Sequence, residues 1–197
     1  MNKICDFYNE NAASYSTQSL GLIPLNAWNA FESYIVQNAH ILDAGCGVGR
    51  DSKHFMDKGY KVTSMDGSIA MVRQAEQTTG HKVIHCLFDD IDEIGRYDAI
   101  WCYAPLLHVH KHKLDETLSR IQIALKNKGV LFMCFKHGEW DGLDAHKRYY
   151  YDLNDARFSA LELDSKGWKI ERKCLEPCPL LALPKRPDWY SVILRKE

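Results

Sequence analysis

Residues 41–52 read ILDAGCGVGRDS, and this stretch constrains the fold more than any other. An apolar pair, Ile41 and Leu42, ends in an acid, Asp43, and glycines follow at alternate positions, Gly45, Gly47 and Gly49. Without Cβ atoms the backbone can turn sharply there and run close to a ligand. Asp51 or Ser52 stands where a side chain can cap a following helix. Strand, glycine turn and helix in that order build the ligand crevice at the carboxyl edge of an α/β sheet.

The flanking pattern extends that unit in both directions. Apolar residues at helical spacing predict helices over 2–17 and 25–36, the second behind Pro24. Beyond residue 40 the signals alternate. Strands are predicted over 41–44, 60–65, 82–88, 97–103 and 130–135, with helices over 51–58, 68–77 and 112–126 between them. Residues 137–151 are polar and aromatic without periodicity and read as a long loop of the kind that carries function. A helix over 152–165 and strands over 168–174 and 189–194 close the chain, and Pro177, Pro179, Pro184 and Pro187 exclude regular structure between those strands. The expected organisation is one domain over 1–197, with a helical cap (1–38), a ligand-binding half (39–136) and a second half (137–197).

Composition removes several function classes. The formal net charge of −1 argues against a dedicated nucleic-acid binder. No apolar run approaches the length of about 18 residues that a bilayer requires, so no membrane role is expected. The first residues lack the apolar core of a signal peptide, which predicts a cytoplasmic protein. The seven cysteines are odd in number and several lie inside apolar runs, as reduced core thiols do. Cys174 and Cys178 have no second ligand pair at matching spacing, and His108, His110 and His112 lead into a helix, so no metal is expected.

Three ligand readings of the glycine loop compete. It can be a tight turn without a ligand. A dinucleotide loop has a G-x-G-x-x-G spacing, but Arg50 occupies its third glycine position. A P-loop needs Gly-Lys-Ser/Thr, which is absent. The pattern D-x-G-x-G-x-G resembles motif I of the class I S-adenosylmethionine-dependent methyltransferases, and the order of features over 39–136 extends the likeness. RYDAIWCYAPLLHV and the FKHGE segment look like the small bacterial methyltransferases related to the tellurite-resistance enzymes.

The resemblance implies an α/β fold, a Rossmann-like, seven-stranded, mostly parallel sheet with helices on both faces and the last strand antiparallel. It implies S-adenosyl-L-methionine as co-substrate, bound by Asp43, Gly45, Cys46, Gly47, Gly49 and Arg50. Asp66, ending the second strand, would take the ribose hydroxyls, followed by Gly67, Ser68 and Met71. Leu87 aligns where relatives often carry an adenine-binding acid, which leaves Asp89 or Asp90 to serve. Tyr15 belongs to the helix that covers the co-substrate in relatives, and Tyr103 and His108 follow the strand where the acceptor site lies. Lys136 and His137, with Glu139, follow the next strand of that edge. His108, Lys136 and His137 are the catalytic candidates, His108 as base or acceptor-orienting group. Arg148, Tyr149 and Tyr150 form a candidate wall against an anionic or aromatic acceptor, or a solvated loop with aromatic anchors. The expected function is methyl transfer to a small-molecule acceptor; the alternatives are a tRNA or protein methyltransferase, or a regulatory protein that binds the co-substrate without turnover. Oligomeric state is left open by the sequence.

Overall fold

The structure, a computed structural model, describes residues 3–177 and 188–197. Its strands are β1 (His40–Ala44), β2 (Lys61–Asp66), β3 (Ile84–His85), β4 (Tyr97–Tyr103), β5 (Leu125–Lys136), β6 (Asp141–Leu143), β7 (Tyr149–Tyr151), β8 (Trp168–Glu176) and β9 (Trp189–Lys196). Its helices are α1 (Lys3–Leu20), α2 (Leu25–Glu32), α3 (Arg50–Asp57), α4 (Ile69–Thr79), α5 (Lys111–Ala124) and α6 (Asp155–Ser159). Seven strands form one sheet in the order β3-β2-β1-β4-β5-β9-β8, while β6 and β7 pair as a separate ribbon. Pairing is parallel from β3 to β5, and β9 runs antiparallel to both β5 and β8. The last strand is therefore the reversed one, as the sequence led us to expect.

Strand alternation sorts the apolar side chains onto two faces. Leu42, Ile100, Leu131 and Met133 face one layer with Leu114, Leu118 and Ile121 of α5. Ile41, Ala99, Trp101 and Phe132 face the other with Trp28 and Phe31 of α2 and Phe55 of α3. Each fully buried leucine or phenylalanine of these layers contributes about 1.5–3 kcal/mol relative to exposure. Strand order reverses between β1 and β4, so the connections leave to opposite faces and open a crevice at the carboxyl ends.

Several expectations need correction. The third strand was predicted over 82–88 but pairs only as Ile84–His85, an exposed edge that gives way to a 3-10 turn at Phe88–Asp90. Short edge strands resist pairing with other chains. The helix after the glycine loop starts at Arg50 with Gly49 as its cap, so Asp51 and Ser52 lie inside it, buried, and cap nothing. The helix predicted over 152–165 is capped by the Asn154 side chain, ends at Ser159 and resumes as a 3-10 turn after Glu162, whose φ of 49° breaks it. Residues 137–151 contain the β6–β7 ribbon rather than only loop. Cys178, Pro179, Pro184 and Pro187 lie outside the described residues. Among the described residues no helix is long and apolar enough to cross a membrane, and no cluster of metal-ligating side chains occurs.

Candidate active site

The glycine loop leaves β1 in left-handed backbone, with φ of 77° at Gly45, 55° at Gly47 and 81° at Gly49. The first and second glycines are needed for different reasons. A Cβ on Gly45 would lie 2.4 Å from the Cβ of Pro105, so the loop passes against the chain leaving β4. A Cβ on Gly47 would meet nothing within 4 Å, because this backbone borders open space. The amides of Gly45 and Cys46 both donate to the carbonyl of Met65, each at 2.9 Å. Asp66 completes the cradle: one carboxylate oxygen accepts from the Gly47 amide and the other from the Ser68 amide, each at 2.8 Å. Ala104, just after β4, also has a positive φ of 70°, a strain on the order of 1–3 kcal/mol of the kind found at functional sites.

Two adjoining cavities lie over this loop. The first, about 390 Å³, is lined by Asp66, Gly67, Ser68, Met71, Leu87 and Asp89 among others. The second, about 570 Å³, is lined by Cys46, Arg50, Lys136, Arg148, Tyr150 and Trp189 among others. Both fall in the size range of small-molecule sites. Tyr8, Tyr15, Gly45, Gly47, Tyr103 and His108 border both. Helix α1 roofs the pair. The Asn9 side-chain oxygen Oδ1 accepts from the Ser68 hydroxyl at 2.7 Å and the Ala70 amide at 3.1 Å, which ties α1 to the start of α4. On the other side, Phe7 lies under the Arg148 guanidinium, 4.2 Å from the ring centre.

His108 stands where the cavities meet. Its Nδ1 lies 2.8 Å from the carbonyl of Tyr149, which only accepts, so Nδ1 carries the proton. Nε2 then accepts from the Tyr8 hydroxyl at 3.0 Å. Burial pushes the imidazole down to about 4, helped by the positive charges of Arg148 and Lys136. A neutral ring with a fixed tautomer follows. In a nitrogen-detected NMR titration, the His108 ring shifts stay flat from about pH 8 to about pH 5.5, where an ordinary histidine has titrated. An inflection near pH 6.5 would overturn this assignment.

Beneath the loop lies a buried carboxylate that sequence reasoning read only as a cap. Asp51 accepts from the indole N–H of Trp28 and of Trp101, each at 3.0 Å, and from Arg50 Nε and Nη2, each at 2.8 Å. Arg50 in turn lies over the Tyr103 ring at 5.0 Å. Asp43 makes a second chain. Ser52 donates to Asp43 at 2.5 Å, so Ser64, 2.7 Å from Ser52, must donate to it. The only foretaste of the Asp51 network in the sequence is a pair of tryptophans in apolar runs, whose N–H groups need partners when buried.

Burial and the neighbouring Asp51 charge raise the Asp43 carboxyl well above the usual carboxylate range. A carboxyl whose folded value exceeds its unfolded one binds its proton more tightly when folded. Its contribution is full in acid and is lost as pH rises through the folded value. The wild-type melting temperature therefore falls relative to that of Asp43→Asn as pH rises from about 5 to about 8. Parallel melting curves across that range would refute the shift.

Of the expected site residues, Tyr15, Gly45, Cys46, Gly47, Arg50, Asp66, Gly67, Ser68, Met71, Asp89, Tyr103, His108 and Lys136 border one cavity or both. Asp43 and Gly49 support the loop from behind; Gly49 packs against Ala75, 3.0 Å from where its Cβ would be. Asp90 and His137 border neither cavity. His137 follows Lys136 directly, so alternation turns its ring away, toward Tyr190 with centroids 6.1 Å apart. Leu87 does line the first cavity, and Asp89 is paired there with Lys113 at 2.7 Å.

A parallel sheet with a glycine-loop crevice at its switch point defines a class of nucleotide-type binding folds. Comparison with known proteins narrows it. Residues 41–129 match the family described as a methyltransferase domain. The glycine/sarcosine N-methyltransferase of Halorhodospira halochloris is 33% identical over 126 residues, covering 56% of this chain and 46% of that protein. The chain spans about half or less of the length of the curated relatives it matches first. The Burkholderia thailandensis 1,6-didemethyltoxoflavin-N1-methyltransferase, solved with its acceptor and S-adenosylhomocysteine, superposes with a TM-score of 0.81 at 19% identity, covering 98% of this chain and 87% of that one. A TehB-like S-adenosylmethionine-dependent methyltransferase from Corynebacterium glutamicum gives 0.70 at 17%, covering 98% and 100%. The glycine-loop half therefore matches a methyltransferase domain, and the chain shares the fold of class I S-adenosylmethionine-dependent methyltransferases.

S-adenosylmethionine is the co-substrate of those structural neighbours, and the residues present here fit it. Gly47 borders space that a side chain would fill, a carboxylate ends β2 beside it, and the first cavity has the volume of a small-molecule site.

Proposed function

We propose that this protein transfers the methyl group of S-adenosylmethionine to a small-molecule acceptor, releasing S-adenosylhomocysteine. The observation that carries the reading is the Asp66 cradle: a carboxylate tied to the Gly47 and Ser68 amides at the wall of the first cavity, which adjoins a second across Tyr103 and His108.

The co-substrate supplies an already activated methyl group. The chain's own residues then have mainly to bind, align and exclude water. Asp66 keeps lone pairs beyond those used by the two amides, and a carboxylate can accept from two vicinal ribose hydroxyls. Gly45 and Gly47 let backbone approach the bound molecule closely. Leu87 and Met71 supply apolar wall, and Asp89, paired with Lys113, lies on the lining of the same cavity. Tyr8 and Tyr15 of α1 cover the junction of the cavities. His108 keeps Nε2 unprotonated and aimed at Tyr8, so it orients the acceptor side more than it drives proton removal. The second cavity lies under α1, and at about 570 Å³ it suits a metabolite better than a polymer surface.

Calorimetry with S-adenosylhomocysteine tests the reading first, and slow turnover of S-adenosylmethionine with a metabolite extract tests catalysis. Well-folded protein that binds neither form of the co-substrate would sink it. Binding without any turnover would leave a sensor in place of an enzyme.

A further inference from the structure

Three hydrogen-bond donors line the second cavity near the end of the glycine loop, and none has a partner among the described residues. One is an edge of Arg50. Its Nε and Nη2 are spent on Asp51, each at 2.8 Å, whereas Nη1 bonds to no described side chain or backbone group and is not sealed inside the protein. The other two are the hydroxyls of Tyr15 and Tyr103, which border both cavities.

The three side chains are held in place by their neighbours. The Arg50 guanidinium lies 5.0 Å from the centre of the Tyr103 ring, and that ring lies 5.8 Å from Trp189. Tyr15 packs edge-on against Tyr8 with centroids 5.2 Å apart. Burial works against the Arg50 cation, but Asp51 more than offsets it, and the phenols of Tyr103 and Tyr15 lie close enough to strengthen its hold on the proton. Asp51 has no capacity left for these donors, because each of its oxygens already accepts from Arg50 and from one indole. The charges of Arg50 and Asp51 cancel, so what marks the place is converging donors and not net charge.

Resting on the methyl-transfer reading above, we infer that Arg50, Tyr15 and Tyr103 form a seat for a carboxylate at the loop end of the second cavity. The two oxygens of a carboxylate accept from a guanidinium edge and two phenols together, in charge-assisted hydrogen bonds. Two molecules can bring that group. One is the co-substrate, whose amino-acid end reaches the seat from the first cavity because Tyr15 and Tyr103 border both. The other is an acceptor acid held in the second cavity. Gly45 and Gly47 border the same space, so either carboxylate lies beside the glycine loop.

The test has two arms, each run on wild type, on Arg50→Gln and on the Tyr15→Phe, Tyr103→Phe double variant, which keeps both rings. Folding is checked by near-ultraviolet circular dichroism. The first arm compares S-adenosylhomocysteine with its decarboxylated form, which retains the thioether and the amine. If the co-substrate fills the seat, wild type prefers the carboxylate form by about a hundredfold, and the preference falls about tenfold in either variant. The second arm compares benzoate with benzamide on protein saturated with S-adenosylhomocysteine. If an acceptor fills the seat, the first arm shows no preference, and benzoate binds about tenfold tighter than benzamide in wild type but not in the variants. No carboxylate preference in either arm, or one that survives in the double Phe variant, overturns the inference. Binding of neither nucleoside overturns the methyl-transfer reading instead, and benzoate against benzamide on the protein alone then reads the seat by itself.

Discussion

Asp51→Ala lowers the unfolding free energy by about 3–5 kcal/mol, because it leaves a buried cation without its partner. The Asp51 side chain is only 8% exposed and that of Arg50 14%. The carboxylate joins three elements: Trp28 from α2, Trp101 from β4 and Arg50 at the start of α3. Removing it orphans two indole N–H donors in the core as well as the guanidinium, and each unsatisfied buried donor adds a cost of about 1–3 kcal/mol where it cannot rotate to water. Against a typical total of about 5–15 kcal/mol, that is a large fraction of the whole. Asp51→Asn falls between, since one carbonyl oxygen can still accept while its NH₂ group confronts Arg50. Urea unfolding followed by tryptophan fluorescence measures the loss, and an unchanged slope assigns it to stability rather than to a change in the unfolded chain. A loss under about 1 kcal/mol would mean that the pair had merely broken even against its desolvation, as some buried ion pairs do.

That network also marks where the sequence stops being legible. The strand, glycine loop and helix over 41–58 follow from local spacing, and the acid ending β2 is found by the same register. Local apolar patterning located the sheet strands other than β3, most clearly β1, β4 and β9, which are largely buried, although β5 begins at Leu125, five residues before the predicted strand. The indole partners of Asp51 are 23 and 50 residues away, and an acid in the first turn of a helix reads locally as a cap. Tyr8 and His108 are 100 residues apart, so nothing near either one signals their hydrogen bond. Lys136 and His137 look equivalent in sequence, yet one borders the second cavity and the other packs toward Tyr190, since neighbouring strand residues point to opposite faces. Asp89 and Asp90 part for a similar reason: the 3-10 turn at Phe88–Asp90 directs consecutive side chains about a third of a turn apart. Tyr149, Tyr150 and Tyr151 carry no polar–apolar alternation, so the ribbon they form with Asp141–Leu143 was invisible to a pattern-based reading.

Asp66→Ala weakens the binding of S-adenosylhomocysteine by about a hundredfold or more. Hydrogen bonds to a charged group are worth about 1.5–3 kcal/mol each, and every 1.4 kcal/mol is about tenfold in affinity. On the proposed function, two ribose hydroxyls donating to this carboxylate would account for at least that factor. A second loss adds to it: the Gly47 and Ser68 amides lose their common acceptor, so the glycine loop is no longer strapped to the start of α4. Asp66→Asn retains one acceptor oxygen and is expected to lose only about tenfold. Burial raises the Asp66 carboxyl above the usual range, while the two amides and His85 pull it back down. Affinity in the wild type then declines on acidification earlier than an ordinary carboxylate would dictate, as a protonated Asp66 stops accepting from one partner. The Ala variant shows no such acid limb. Calorimetric titrations of wild type and both variants over a pH series read all of this at once. Wild-type affinity in Asp66→Ala would mean that the carboxylate serves only to hold the loop, and the ribose contact would have to be sought elsewhere in the first cavity.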